Sequence, residues 1–212
     1  MCTGRVDLSF VLRAFSKGTD GVFIGGCRLN ECNYITHGNF HALGMVHLCK
    51  KLMEHIGLNP ERLRIEFMTS GEGILFAEVM NDFGDKVKKL GPLGKGEGID
   101  VIALKAKLEA VTQIVPYIRL VERERLRLFL KSEEEYHTYF TSDEFNRLFN
   151  ELIGDKLAIS QIMLLLRERP LSTGKISEML GLTPSEVARH MNSSSRQGLV
   201  RYDESRKSFA LA

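Results

Sequence analysis

The 212-residue chain has no tryptophan, only five prolines and four cysteines, and no large excess of either charge. The missing tryptophan decides nothing. Lysine and arginine number 29 against 27 aspartates and glutamates, a formal net charge of +2. That balance argues against a chain that binds polyanions along its whole length, although a local basic face is still allowed. Long apolar runs are also missing. The longest, Ile159 to Leu166, is broken by Ser160 and Gln161, far short of the ~18–20 residues a membrane-crossing helix needs, so no membrane partner is expected. The sequence shows no Ser/His/Asp set and no pair of carboxylates suited to acid–base work. Gly71-Glu-Gly73 lacks the strand–GxGxxG–helix setting of a phosphate loop. With 43% hydrophobic residues the composition is that of an ordinary globular chain, and a non-catalytic role without a small-molecule substrate is expected.

What is present is concentrated at one end. All four cysteines, Cys2, Cys27, Cys32 and Cys49, lie in the first quarter of the chain. Met1 leads straight into Cys2 with no charged start and apolar stretch, so a cytoplasmic setting is expected. There, metal or redox chemistry is a better use of cysteine than a structural disulfide.

The segment from Asp7 to Ser16 has the helical period, with Leu8, Val11, Leu12 and Phe15 on one side. Asp20 to Gly26 is a compact apolar run of the kind found in buried parallel strands, and Cys27 follows at its carboxyl end. A polar loop carries Cys32 to Gly38. The helical period returns from Asn39 to Ile56 and stops at Gly57-Leu-Asn-Pro60. Leu63 to Met68 alternates as a strand, and Ser70 is placed to cap a helix from about Glu72 to Leu90. This order predicts a parallel α/β sheet with its site beyond the carboxyl ends of the strands.

Gly91 to Gly98 holds four glycines and a proline and reads as a linker. Ile99 to Leu130 is helix-like with a break at Pro116, and Ser132 or Ser142 can cap further helices. Lys95 to Glu151 carries nine basic and eleven acidic residues, which reads as a solvated helical spacer. The tail shows helices over Ala158 to Glu168 and Thr173 to Leu180. A turn at Gly181-Leu-Thr-Pro184 follows, with a capping box between Thr183 and Glu186, and a third helix runs to about Gln197. A two-stranded hairpin completes a winged helix-turn-helix pattern. The three segments are assigned as 1–94, 95–154 and 155–212.

Cys27 and Cys32 form a C-x4-C pair preceded by Gly25 and Gly26, glycines that let backbone approach sulfur. Zinc, an iron–sulfur cluster and two unrelated buried thiols are all compatible with that pair. Cys2, expected just ahead of a helix starting near Asp7, adds a third thiol favoured as thiolate by the helix dipole. Three cysteines around one loop look more like iron–sulfur ligands than zinc ligands. Cys49 shares a face with Ala42, Met45, Leu52, Met53 and Ile56 and reads as a core residue. His37, His41 and His47 lie near the loop and read as loop or half-exposed side chains. In the tail, Ser185 to Gln197 carries Arg189, His190, Asn192 and Arg196, residue types that contact phosphates and base edges. From Asp155 onward there are nine basic and six acidic residues, less basic than DNA-reading domains usually are.

Met1 to Asp7, Phe10 to Gly18, Asp20 to Cys27, Glu31-Cys-Asn-Tyr34 and Gly57 to Leu63 together resemble the hydrogenase iron–sulfur subunit family, that of the delta subunit of methyl-viologen-reducing hydrogenase. The resemblance covers about residues 2 to 94. It implies a flavodoxin-like domain holding a 2Fe-2S cluster, with Cys2, Cys27 and Cys32 as the family's metal-binding cysteines. It also implies electron relay between a heterodisulfide reductase-like flavoprotein and a hydrogenase or formate dehydrogenase module. Family members carry a further strand and a CxxC-type loop before the counterpart of Cys2, so the domain reads as truncated at its start. The remaining ligands are expected from an upstream segment or another chain. The family also tends to place histidine where this chain has Arg28 and Asn33. The alternative readings are a redox-sensing transcription regulator acting through the winged helix, and a zinc-bound adaptor.

Overall fold

The computed structural model describes residues 2–34 and 37–212, which divide into two compact units, Met1–Leu148 and Phe149–Ala212. No helix among the described residues is long and apolar enough to cross a membrane.

The first unit starts with a single turn of 3-10 helix, Thr3–Arg5, and then α1, Leu8–Ser16. The Asp7 carboxylate caps α1 by accepting the Ser9 N–H at 2.8 Å. Leu8, Val11, Leu12 and Phe15 are all buried on one side, as the helical period predicts. Strand β1, Val22–Gly26, is followed by helix α2, Asn39–His55, and strand β2, Leu63–Phe67. The two strands pair in parallel, from Val22 opposite Leu63 to Gly26 opposite Phe67, and form a small two-stranded sheet. Gly57, at φ +84°, ends the α2 segment in a conformation that favours glycine. The alternation of helix and strand is therefore as the sequence predicts.

Helix α3 spans Gly73–Leu90, and its start differs from expectation. Ser70 does not cap it. The chain makes a turn after β2 in which the Glu72 N–H donates to the Thr69 carbonyl at 3.1 Å. The Glu72 carboxylate in turn accepts the Thr69 N–H at 2.7 Å, which moves the first helical residue past Ser70.

Gly91 to Gly98 is folded tightly, in contrast to the flexible linker its glycines suggest. The side chain of Arg62 is fully buried and donates to the carbonyls of Asp20 at 3.0 Å and Gly91 at 2.8 Å. The same guanidinium meets the Glu97 carboxylate at 2.6 and 3.1 Å. Glu97 also accepts the N–H groups of Asn59 and Gly94, and Asp20 accepts that of Leu93 at 2.7 Å. A buried charge needs this many partners, because desolvation makes an unpaired one very costly. The network ties the loop to the amino ends of both strands, opposite the end that carries Cys27.

The segment that follows is also packed and does not behave as a solvated spacer. Helices α4, Val101–Gln113, and α5, Val115–Val121, lead through a π-turn to α6, Glu133–Thr141, and α7, Asp143–Phe149. The break between α4 and α5 falls at Ile114, with Pro116 inside the first turn of α5, where its missing N–H costs nothing. Both serines cap: Ser132 accepts the Glu135 N–H and Ser142 that of Phe145. Helix α4 packs on α1, and α6 packs on α2 with Tyr136 stacked over Phe40 at 5.8 Å. The charge count misleads here because the charges lie on the outer faces. Leu108, Val111, Ile118 and Phe145 occupy the inner ones and are buried.

The second unit is a winged helix. Helices α8, Asp155–Glu168, α9, Thr173–Leu180, and α10, Pro184–Arg196, surround a core of Ile162, Leu166, Ile176, Val187 and Met191. Gly181, at φ +68°, turns α9 into α10, and the Thr183–Glu186 capping box forms as the sequence predicts. Strands β3, Val200–Asp203, and β4, Ser208–Leu211, make the antiparallel wing, with Leu171 bridged to Phe209 as a third short partner.

Candidate functional site

The carboxyl end of β1 delivers Cys27 directly into the loop that also holds Cys32. The 3-10 turn after Cys2 is bound to the same end of the sheet, because the Thr3 hydroxyl donates to the Gly25 carbonyl at 3.0 Å. Cys2 and Cys32 thus meet, with their sulfurs 3.9 Å apart. Cys27 lies close enough to Cys32 and Cys2 to feel both thiols electrostatically. Cys32 is buried, Cys2 half-buried and Cys27 exposed. Three of the four cysteines therefore face one another. Among the described residues, no group of three or more His, Cys, Asp or Glu side chains is placed to hold a metal ion.

Two glycines that carry no signal in the sequence make this approach possible. A methyl group on Gly38 would collide with the Cys32 sulfur and the Tyr34 carbonyl, and one on Gly4 would collide with the His37 and Gly38 carbonyls. Gly4 and Gly38 thereby let the amino-terminal turn lie directly on the cysteine loop. The expected role of Gly25 and Gly26 is corrected. Gly25 has only the Phe23 ring near it, and Gly26 faces the Phe67 ring and the Thr3 hydroxyl.

The electrostatics also differ from expectation. Cys2 precedes the 3-10 turn and not α1, so the helix that favours a thiolate is α2, and the thiol it favours is Cys32. The N-cap of α2 is Gly38, which has no side chain to occupy the first N–H groups. The Cys32 sulfur accepts the Tyr34 N–H at 3.4 Å, and the nearby Asn39 N–H acts on it in the same direction. Burial raises the Cys32 pKa, but these N–H groups and the neighbouring thiols outweigh it, so the thiol is held below its ordinary value. Burial and the adjacent Cys32 push Cys27 the other way. An N–H aimed at sulfur favours the thiolate, the form in which cysteine ligates metals and reacts.

Around the thiols, Asn39 is fully buried and donates from its carboxamide to the carbonyls of Cys27 at 2.9 Å and Arg28 at 2.6 Å. Arg28 pairs with Glu72, whose carboxylate is kept below its usual range by the Thr69 N–H and then by Arg28. The loop is thus clamped to the start of α3. Asn33 is exposed.

The histidines are not drawn to the sulfurs as a group. His37 stacks on Phe129 with ring centroids 6.4 Å apart, and His41 lies 3.8 Å from the Glu122 carboxylate. His47 stacks on Phe140 at 5.1 Å, and burial lowers its pKa to about 4. Cys49 is fully buried in α2, and burial pushes its thiol up to about 12. Cys49→Ala is accordingly expected to leave metal content unchanged and to cost about 1 kcal/mol, the scale for losing one buried heavy atom. Iron analysis and a denaturant titration of the variant check both.

In the second unit, α10 presents Arg189, Asn192, Ser193, Arg196 and Gln197 to a shallow exposed groove. His190, a candidate contact residue by sequence, is instead buried 3.9 Å from Asp155, and Arg189 is paired with Asp155 at 2.9 Å.

A parallel α/β unit ending in three convergent thiols, followed by a winged helix, defines a thiolate-bearing module with a regulator-type tail. Residues 1–91 match the family described as methyl-viologen-reducing hydrogenase, delta subunit, and the chain belongs to this family. Residues 160–202 match the family described as bacterial regulatory protein, arsR family. Over 91 residues the chain is 45% identical to an iron-sulfur subunit of the F420-non-reducing hydrogenase of Archaeoglobus profundus, covering 43% of this chain and 66% of that protein. Over 92 residues it is 40% identical to the vhu iron-sulfur subunit of the F420-non-reducing hydrogenase of Methanopyrus kandleri, covering 43% of this chain and 69% of that protein. It is also 43% identical over 94 residues to one subunit of the ferredoxin/F(420)H(2)-dependent CoB-CoM heterodisulfide reductase of Methanosarcina acetivorans. That match covers 44% of this chain but 12% of the reductase protein. The chain therefore spans about two thirds of the hydrogenase proteins and about an eighth of the reductase protein.

Proposed function

We propose that the chain is a non-catalytic electron-transfer subunit in which Cys2, Cys27 and Cys32 hold a 2Fe-2S cluster. The observation that carries this reading is the convergence of these three thiols at the carboxyl end of β1, with the Cys2 and Cys32 sulfurs 3.9 Å apart. Relatives named as iron-sulfur subunits support it. In this reading residues 1–94 are a flavodoxin-like redox domain, 95–154 are helices most of which pack against it, and 155–212 are the winged-helix domain. These three thiols supply part of the cluster's ligation. When bound, the cluster accepts and passes on single electrons. The protein's own groups support it: the Tyr34 N–H donates to the Cys32 sulfur and stabilises negative charge there. The partners are a heterodisulfide reductase-like flavoprotein and a hydrogenase or formate dehydrogenase module, met in the cytoplasm.

Iron, sulfide and visible absorption measured on anaerobically prepared protein test the assignment. Iron and sulfide in equal amounts, lost in Cys27→Ser and Cys32→Ser, are expected. A colourless protein carrying zinc would sink it. A second reading, a redox-sensing transcription regulator, is favoured by the arsR-family match of residues 160–202. Tight, steeply salt-dependent binding of the whole chain to duplex DNA would select it.

A further inference from the structure

We infer that Asn39 is the positioning residue of the cysteine site, fixing Cys27 and the loop behind it through its carboxamide. The inference rests on the iron–sulfur reading and deepens it. Asn39 is the first residue of α2 and is 0% exposed. An asparagine near a helix start ordinarily serves its own helix as a cap, with its side-chain oxygen accepting an N–H two or three positions on. Here Gly38 occupies the cap, and the carboxamide turns back towards the segment eleven and twelve residues upstream.

The side chain has two N–H protons and three acceptors around them. These are the Cys27 carbonyl at 2.9 Å, the Arg28 carbonyl at 2.6 Å and the Cys27 sulfur at 3.8 Å. Its oxygen accepts the Phe40 N–H at 2.9 Å, so no polar atom of the side chain is left without a partner. One buried residue therefore touches both the carbonyl and the sulfur of Cys27, and it does so at the end of a 17-residue helix whose dipole favours negative charge at that point.

Cys27 is exposed and has little packing of its own. Its rotamer and the path of the loop behind it depend on the two carbonyl bonds from Asn39. The N–H contact to sulfur has a separate consequence. A donor to a ligating sulfur stabilises the more negative, reduced form, and removing it makes reduction harder.

The test uses the full chain, prepared anaerobically and reconstituted with ferrous iron and sulfide. Asn39→Leu keeps the volume and removes every donor of the side chain, while Asn39→Ser keeps a small polar group that cannot span to the Cys27 loop. Far-UV circular dichroism identifies folded variants, chelator competition reads iron retention, and an EPR-monitored titration reads the midpoint potential. In a folded variant, iron retention about 10–100-fold weaker is expected, together with a midpoint shifted to more negative potential in the fraction that stays loaded. If Asn39→Leu does not fold, Asn39→Ser is the variant read. Wild-type retention and potential in a folded variant would overturn the role of Asn39. An iron-free wild-type chain would instead remove the cluster reading itself.

Discussion

Gly38→Ala is expected to abolish iron loading while leaving the winged-helix unit folded. The added methyl has no free direction, since it lands on the Cys32 sulfur on one side and on the Tyr34 carbonyl on the other. Both neighbours are fixed. The sulfur is buried and held by the Tyr34 N–H and the Cys2 thiol, and the carbonyl is backbone. Relief requires Cys32 to rotate away from Cys2 or the whole loop to lift off α2, and either movement separates the thiols. Gly84→Ala is the matched control. Gly84 lies inside α3 with nothing within 4 Å of the new methyl, so the change should preserve loading and add up to about 1 kcal/mol of helix stability. Iron and sulfide per chain, with a thermal melt of each variant, separate the two cases. Equal loading of the Gly38→Ala variant would show that the cysteine loop does not ligate in this conformation.

Glu97→Ala should cost about 3–5 kcal/mol, the scale for stripping the partner from a buried charge. The variant leaves the fully buried Arg62 guanidinium without its carboxylate, and the Asn59 and Gly94 N–H groups without their acceptor. The pH dependence carries the same signature. Burial raises the Glu97 pKa, but the bonds from Arg62 and the Asn59 N–H outweigh this and hold it below its ordinary value of 4.5. A carboxyl whose folded pKa is depressed adds stability that is fully present above the unfolded pKa. That stability is lost as the pH falls from about 4.5 towards the folded value. Denaturant titrations between neutral and acid pH should therefore show wild type losing stability in that window. Glu97→Gln should start lower and lose less. Parallel curves for the two proteins would mean that Glu97 does not carry the acid sensitivity.

Local rules succeed in this chain where structure is local. The period of Leu8, Val11, Leu12 and Phe15, the apolar run into Cys27 and the Thr183–Glu186 capping box each depend on a few neighbouring residues, and each forms as expected. Cys49 lies in the core for the same reason, its phase on α2. Expectation and structure part where distant segments meet. Glycines in 91–98 suggest looseness, yet they are needed there because Arg62 draws the loop in from nearly thirty residues away, and a side chain on Gly96 would collide with the Leu90 carbonyl. Gly4, Gly38 and Asn39 give no periodic or spacing signal. Their meaning comes from the amino-terminal turn lying on the cysteine loop, and no window of sequence contains both. His190 has the chemistry of a contact residue, but its phase on α10 matches that of the buried Val187 and Met191. That phase is legible in the sequence and is the better guide of the two.

The distance along the chain between Cys2 and Cys32 has a thermodynamic consequence. The two thiols are thirty positions apart with a strand between them. In the unfolded chain, bringing them together carries a loop-closure entropy of order (3/2)RT ln n, before the conformational entropy of the intervening residues is counted. The folded unit has already met that cost through the β1–β2 pairing and the Gly4–Gly38 contact. A group bridging all three thiols thus has nothing comparable to bind in the unfolded ensemble. By mass action its affinity appears in full as added folding stability, and the ligand site and the fold gain or lose strength together.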